Sequence, residues 1–196
     1  MPSPPSPATW APPEPVSAGA AGVTAASIPN VRPTVRALVL DADERLLLQS
    51  YLDPTVRRPD GLPHRTPVWI APGGGLAPGE TPAAGLEREV WEETGIVGIA
   101  WGPWLWRRAV DLHYQGRVRR FVEHYRVGRV AAIEPRVAPT ALAAHEGEVL
   151  LAHRWWRLAE LLATADVVYP PRLAERLQAV LAGQAGEAVV DISDEG

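Results

Sequence analysis

The chain has 196 residues, of which 46% are hydrophobic and 21% charged, and this composition is typical of one globular domain. It has no Cys and no Lys, which excludes disulfides, cysteine-ligated metal sites and a lysine-dependent P-loop. The net charge of −4 provides no basic field, and no apolar run approaches the roughly 20 residues of a membrane span. We therefore expect a cytoplasmic protein without a nucleic-acid or membrane partner.

The chain divides into three segments by composition. Residues 1–30 are dominated by Pro, Ala, Ser and Gly, and they are predicted to be a disordered tail because they cannot bury enough surface to offset their ordering entropy. Residues 31–183 are predicted to form the single folded domain. Residues 184–196 are predicted to be an acidic, flexible C-terminal tail.

The predicted strands follow from alternating or continuous apolar patterns. Val35, Ala37 and Val39 define an alternating strand, whereas the segment 45–49 contains three consecutive Leu residues and is expected to be buried on both faces. A long polar loop is predicted over residues 51–66. The predicted strands span residues 32–40, 45–49, 68–71, 104–113, 117–130 and 149–156.

The helix predicted over residues 82–94 has a signal at each end. Thr81 is a suitable N-cap, Pro82 fits the first helical position, and Gly95 ends the helix. Because strands and helices mix without strict alternation, we expect an α/β fold with helices on the faces of a mixed sheet. The other predicted helices span residues 158–162 and 171–181.

Three carboxylates crowd one edge of this helix. At about 100° of rotation per residue, Glu92 and Glu93 lie close to Glu89 on either side of it. Like charges at this spacing repel one another, and a hard cation bound among them removes that cost. Oxygen-only ligands favour Mg²⁺ or Mn²⁺ over zinc. The glycine-rich turn before the helix lets the backbone approach a ligand closely.

A fixed spacing surrounds these carboxylates. Five residues separate Gly74 from Glu80, seven separate Glu80 from Arg88-Glu89, and the segment ends in Glu92-Glu93-Thr94-Gly95-Ile96. This pattern closely resembles the Nudix box, and the flanking strands and helices resemble that family over most of the predicted domain. The resemblance implies an α/β/α sandwich around a mixed β-sheet. It also implies Mg²⁺-dependent hydrolysis, with Mn²⁺ as a substitute, of a nucleoside diphosphate linked to another moiety, such as a nucleoside triphosphate or a dinucleoside polyphosphate.

The resemblance assigns the metal site to the box. Glu89, Glu92 and Glu93 are expected to bind one or more Mg²⁺ ions, together with the backbone carbonyl of Gly74. Such ions would bridge the pyrophosphate and lower the pKa of the attacking water.

The general base and the supporting residues are less closely defined. The base is expected to be either Glu92 of the box or a carboxylate of a later loop, for which Glu148 is the first candidate and Glu146 the second. Glu80 and Arg88 are expected to form an ion pair that joins loop to helix and supports the box.

Four side chains are candidates for binding the rest of the substrate. Trp69 and Tyr114 are candidates for stacking on a nucleobase, although most buried aromatic side chains simply fill the core. Arg36 and Arg107 are candidates for binding the outer phosphates, although surface arginines also serve solubility.

Other activities on the same fold remain open at this stage. Asp111 and Leu112 stand where ADP-ribose pyrophosphatases tend to have Pro, which disfavours that substrate, and the position of Tyr114 modestly favours a dinucleoside polyphosphate. The alternative function is a catalytically silent nucleotide-binding or sensor module, although such modules tend to lose box carboxylates. The nucleotide substrate is the expected partner, and a homodimer is left open.

Overall fold

The computed structural model describes residues 31–53, 56–57, 62, 65–114, 116–131, 150–184, 186 and 188–193. The predicted N-terminal tail and the later-loop carboxylates Glu146 and Glu148 lie outside the described residues. None of the helices in the described part of the chain is long and apolar enough to span a membrane.

The strands are β1 (Val31–Leu40), β2 (Leu46–Tyr51), β3 (Val56–Arg57), β4 (Val68–Ile70), β5 (Ala100–Tyr114), β6 (Arg117–Arg129), β7 (Leu150–Trp156), β8 (Val167–Val168) and β9 (Val190–Asp191). The helices are α1 (Pro82–Thr94), α2 (Leu158–Ala163) and α3 (Leu173–Leu181).

The described strands form one mixed sheet. Its main order is β3-β5-β6-β1-β2-β4-β8, while β7 also pairs with β2 and β9 with β5. All ten residues of β1 pair in parallel with β6, and β5 and β6 form a long antiparallel hairpin. The α/β class and the mixed sheet that the sequence predicts are confirmed.

Alternation along β1 gives the sheet two apolar faces. Val35, Ala37 and Val39 pack against Leu86 and Val90 of α1, and we call this side the α1 face. The even-numbered residues of β1 point to the opposite side, which we call the α2–α3 face because α2 and α3 cover it. Its core consists of Leu38, Leu40, Leu46, Leu48, Ala71, Leu105, Trp106, Tyr125, Trp156, Leu161, Leu173, Leu177 and Ile192.

Local signals fix both ends of α1 where the sequence predicts them. The hydroxyl of Thr81 accepts a hydrogen bond from the N–H of Ala84 at 3.3 Å, and Pro82 is the first helical residue. Gly95 ends the helix with φ 68°, a left-handed conformation that favours glycine. These caps hold the box carboxylates at fixed positions relative to the preceding loop.

The C-terminal segment differs from its prediction as a flexible tail. Val190 and Asp191 pair with β5, and Ile192 is 3% exposed within the α2–α3 core. The physical reason is that a short apolar run can complete a sheet edge even when acidic residues surround it.

Candidate active site

Arg88 is the centre of an ion-pair network between α1 and the glycine-rich loop. Its Nε and Nη2 atoms donate to the two carboxylate oxygens of Glu80 at 2.9 Å, and Nη2 also donates to the carbonyl of Gly75 at 3.2 Å. Its Nη1 atom donates to both Glu89 and Glu92, each at 2.9 Å. The hydrogen bonds from Arg88 lower the pKa of Glu80 to about 2. The predicted ion pair between Glu80 and Arg88 is therefore present.

Glu89 and Glu92 form a carboxylate pair beside this loop. They lie side by side because each accepts a hydrogen bond from the same Arg88 nitrogen. Glu89 also lies against Gly74, where an added Cβ would meet its Oε2 atom at 2.5 Å. The carbonyl of Gly74 accepts the N–H of Val35 at 3.0 Å, which leaves one of its two lone pairs for another ligand.

Glu93 stands apart from that pair, in a buried position between α1 and the sheet. Its Oε2 atom accepts hydrogen bonds from Gln49 and from the backbone N–H of Gly73, each at 2.7 Å, and its Oε1 accepts the Tyr51 hydroxyl at 2.6 Å. The single cluster expected from the sequence is thus divided into a pair and one buried group. Within the described ranges, no three His, Asp or Glu side chains converge to hold a metal ion.

Burial raises the pKa of Glu93 from 4.5 to about 7, and its three hydrogen bonds oppose this rise only in part. A raised carboxyl pKa means that the fold favours the neutral form. Its contribution to stability is present below pH 4.5 and is lost as the pH rises through about 7.

The stability of the metal-free protein should therefore depend on pH through Glu93. Between pH 5 and pH 8 we expect wild type to lose about 3 kcal/mol of unfolding free energy relative to Glu93→Gln, which has no such charge to desolvate. Urea denaturation in EDTA at both pH values measures this difference, with Glu87→Gln on the exposed side of α1 as the control. Parallel pH profiles for wild type and Glu93→Gln would contradict it.

The carboxylate pair fits a hard divalent cation. Glu89 and Glu92 supply only oxygen ligands, and the loop brings the Gly74 carbonyl close to them. Mg²⁺ typically takes one or two protein carboxylates and completes its coordination with water and substrate phosphates. A pair of carboxylates next to an open loop meets that requirement without a third.

Arg36 connects the glycine-rich loop to the sheet. Its Nη1 donates to the carbonyl of Gly73 at 2.6 Å, and its Nε donates to Glu123 at 3.3 Å. Glu123 also accepts hydrogen bonds from Arg108 at 3.2 Å and from the Tyr125 hydroxyl at 2.8 Å. Much of the donor capacity of Arg36 is thus used within the protein, and its role in binding phosphate stays a prediction.

The other predicted substrate-binding side chains lie on different faces of the sheet. Trp69 packs at the α2–α3 core and donates to Asp166 at 3.0 Å, and the register of β5 places Tyr114 on the same face. Arg107 points to the opposite face, because it alternates with core residues of β5, and it pairs with Asp191. The structure therefore places Trp69 and Tyr114 on the same face as Arg36, but four strands apart on β4 and β5, and it places Arg107 on the opposite face.

The surroundings of Glu93 are what sequence reasoning missed. Gln49 is fully buried at the end of an otherwise apolar run, and a polar residue in that place signals a buried partner. Tyr51 follows two residues later and contacts the same carboxylate. Glu148 lies outside the described residues, so a general base from the later loop stays a prediction.

Comparisons with known proteins relate this chain to one family. The family model of the NUDIX domain matches residues 30–177. The solved structure of the MutT protein from Methanosarcina mazei Go1 is 19% identical, with a TM-score of 0.58, and the match covers 81% of this chain and 98% of that chain. A NUDIX hydrolase from Nitrosomonas europaea is 22% identical, with a TM-score of 0.51 and coverage of 81% and 92%. A C. elegans Ap4A hydrolase is 16% identical, with a TM-score of 0.52 and coverage of 78% and 98%. A search of curated proteins gave no match.

Because the domain match spans most of the sequence, this chain belongs to the Nudix family. It is accordingly a hydrolase of the class that acts on phosphorus-containing acid anhydrides.

Proposed function

We propose that this protein is a Mg²⁺-dependent pyrophosphohydrolase that cleaves a nucleoside diphosphate linked to another moiety. The observation that carries the proposal is the pair Glu89 and Glu92, held by Arg88 against the glycine-rich loop. Hydrolysis of a phosphoric anhydride requires little covalent help from a protein, since positioning and charge neutralisation supply most of the rate. A fixed carboxylate pair beside accessible backbone can hold a divalent cation that positions the substrate and neutralises its charge. Mn²⁺ is expected to substitute for Mg²⁺ at this site.

The residues of the box then have separate proposed roles. Glu89 and Glu92 would hold the ion, which when bound neutralises pyrophosphate charge and lowers the pKa of the attacking water. Arg88 fixes the two carboxylates and ties them to Gly75 and Glu80, so that they keep their positions as the substrate binds. Glu92 or the later-loop Glu148 would accept the proton of the water.

The α2–α3 face is the proposed position of the nucleotide. Trp69, Tyr114 and the guanidinium of Arg36 point to this face, and Arg36 donates to the loop that precedes the box. The structural neighbours support a nucleotide ligand, since one is named an Ap4A hydrolase and another is the NUDIX domain of NrtR from Shewanella oneidensis complexed with ADP ribose.

A substrate panel tests this function. The purified chain is incubated with nucleoside triphosphates, dinucleoside polyphosphates, nucleotide sugars and capped RNA, with Mg²⁺ or with EDTA, and the products are separated by chromatography. We expect Mg²⁺-dependent cleavage between two phosphates of at least one compound. Binding of a nucleotide without cleavage of any compound would favour the alternative of a silent nucleotide-binding module.

A further inference from the structure

An apolar groove with a volume of about 240 Å³ lies at the C-terminal end of α1, on the α1 face of the sheet. Its lining consists of Glu87, Val90, Trp91, the segment 96–99 and Trp101. Trp91 is 47% exposed, and Val97 is 67% exposed. The volume is below the roughly 300 Å³ at which small-molecule pockets begin, so the groove suits a few side chains of a peptide better than a whole nucleotide.

A cation lies beside this groove. The guanidinium of Arg126 is 5.6 Å from the ring centre of Trp101 and 5.4 Å from that of Trp104, so it lies against both aromatic rings. Burial lowers the pKa of Arg126, and the charge of Glu87 offsets this effect only in part. Within the described ranges Arg126 forms no ion pair. An additional carboxylate at this position would therefore stabilise its charge.

Residues 10–15, Trp-Ala-Pro-Pro-Glu-Pro, have the complementary chemistry, and we call them the proline segment. Pro12 and Pro15 have the Pro-x-x-Pro spacing that is typical of peptides that bind grooves lined with aromatic side chains. Trp10 adds a large apolar ring. Glu14 is the one charged side chain among residues 1–30, so the segment brings a single carboxylate and is otherwise apolar.

The length of the connecting chain permits the proline segment to reach the groove. Trp101 pairs with Gly128 of β6, and Gly128 pairs with Val39 of β1. Val39 lies roughly 26 Å along β1 from Val31, where the described chain begins. Residues 16–30 span about 20 Å on average as an unstructured chain and about 50 Å when fully extended. The groove of the same molecule is therefore within reach.

We propose that the proline segment of this chain binds in the groove, with its proline and tryptophan rings against Trp91 and Trp101. Glu14 then lies beside Arg126 and compensates its charge. This contact attaches the N-terminal residues to the helix that carries the box. It is independent of the proposed function, since neither Glu89 nor Glu92 lines the groove.

Chemical cross-linking in the full-length protein tests the proposal, because the chain has no Cys and an introduced pair is unique. A11C is combined with either V97C or V118C and treated with a short bismaleimide at low protein concentration. Val118 is the matched control because it is 49% exposed and lies two residues from Arg120, the strand partner of Val31. A segment that does not bind would therefore meet V118C more often than the more distant V97C.

We expect the A11C/V97C pair to give at least about fivefold more intramolecular product than the A11C/V118C pair, as measured by mass spectrometry. In the A11C/V97C protein, W91A should lower that product about fivefold, because it removes an aromatic wall of the groove. E14Q should lower it about twofold, as expected for loss of a partly exposed ion pair.

L162A is the control for W91A, because Leu162 of α2 is 51% exposed and lies on the other side of the sheet. It should leave the product unchanged, and melting temperatures show whether each variant remains folded. A yield at V97C no higher than at V118C would overturn the proposal, and so would an unchanged yield in W91A. Cross-linked dimers in place of intramolecular product at V97C would also overturn it, since a second copy would then supply the bound segment.

Discussion

Replacement of Glu92 by glutamine is expected to lower kcat by about 10²- to 10⁴-fold, the range associated with loss of a positioned proton acceptor. Glutamine has nearly the same shape but carries no charge, so it weakens the ion site and cannot accept the proton of the water. Glu93→Gln is expected to have an effect of similar size, because Glu93 fixes the backbone of Gly73 next to the carboxylate pair. Turnover of the substrate identified in the panel, measured at saturating Mg²⁺, gives both values.

The control for these variants is on the same helix. Glu87→Gln removes the same charge from the exposed side of α1 and should leave turnover within about twofold of wild type, since surface charge changes away from a site have small effects. Near-normal turnover in both Glu92→Gln and Glu93→Gln would contradict the assignment of the box to catalysis.

Gly73→Ala is expected to lower the free energy of unfolding by more than about 4 kcal/mol, a larger loss than most single substitutions cause. Gly73 has φ 136°, which L-residues rarely adopt, and a Cβ there would lie 2.1 Å from the carbonyl oxygen of Val35. That oxygen belongs to the backbone of the central strand β1, so it cannot move aside as a flexible side chain would. Urea denaturation of the metal-free variant measures the loss.

Gly79→Ala separates the clash from the backbone strain. Gly79 lies in the same loop and also has a positive φ of 78°, but a Cβ there meets nothing within 4 Å. We expect it to cost only about 1–2 kcal/mol, the strain of a left-handed conformation alone. Equal losses in the two variants would show that contact with β1 is not what requires glycine at position 73.

The parts of the fold that could be predicted are those that local signals determine. Thr81, Pro82 and Gly95 fix the ends of α1 within a few residues of chain, and the spacing from Gly74 fixes where the carboxylates fall on it. The alternation along β1 also predicted correctly that Val35, Ala37 and Val39 share one face of the strand. Each of these signals depends on residues that are close together in the sequence, so it can be recognised without the structure.

The division of the carboxylates could not be predicted in the same way. On an isolated helix Glu93 lies as close to Glu89 as Glu92 does, and only the sheet distinguishes them. Gln49 and Tyr51 reach Glu93 from more than forty positions away in the sequence, so the pocket exists only once β2 packs beside α1. Helical spacing alone therefore overstates how many carboxylates meet at one point.

The arginines illustrate the same limit. Arg107 and Arg108 are adjacent in sequence, but their side chains point to opposite faces of β5. Only the register with β6 shows that Arg108 is the one that shares a face with Glu123. Arg32 stands next to Gly75 because the loop pairs with β1 at Thr34, a contact between distant segments. Because the chain has no Lys, a permanently charged side chain that binds phosphate must be arginine, whereas the fold decides which arginines are placed to do so.

Direct measurement of metal binding tests the central claim that Glu89 and Glu92 hold the divalent ion on which hydrolysis depends. Mn²⁺ is titrated into metal-free wild type, Glu89→Gln, Glu92→Gln and Glu87→Gln, and the unbound ion is followed by its electron paramagnetic resonance signal. We predict that each of the first two variants binds Mn²⁺ at least about tenfold more weakly than wild type, whereas Glu87→Gln binds it as wild type does. Equal binding by wild type and all three variants would place the ion elsewhere and contradict the account.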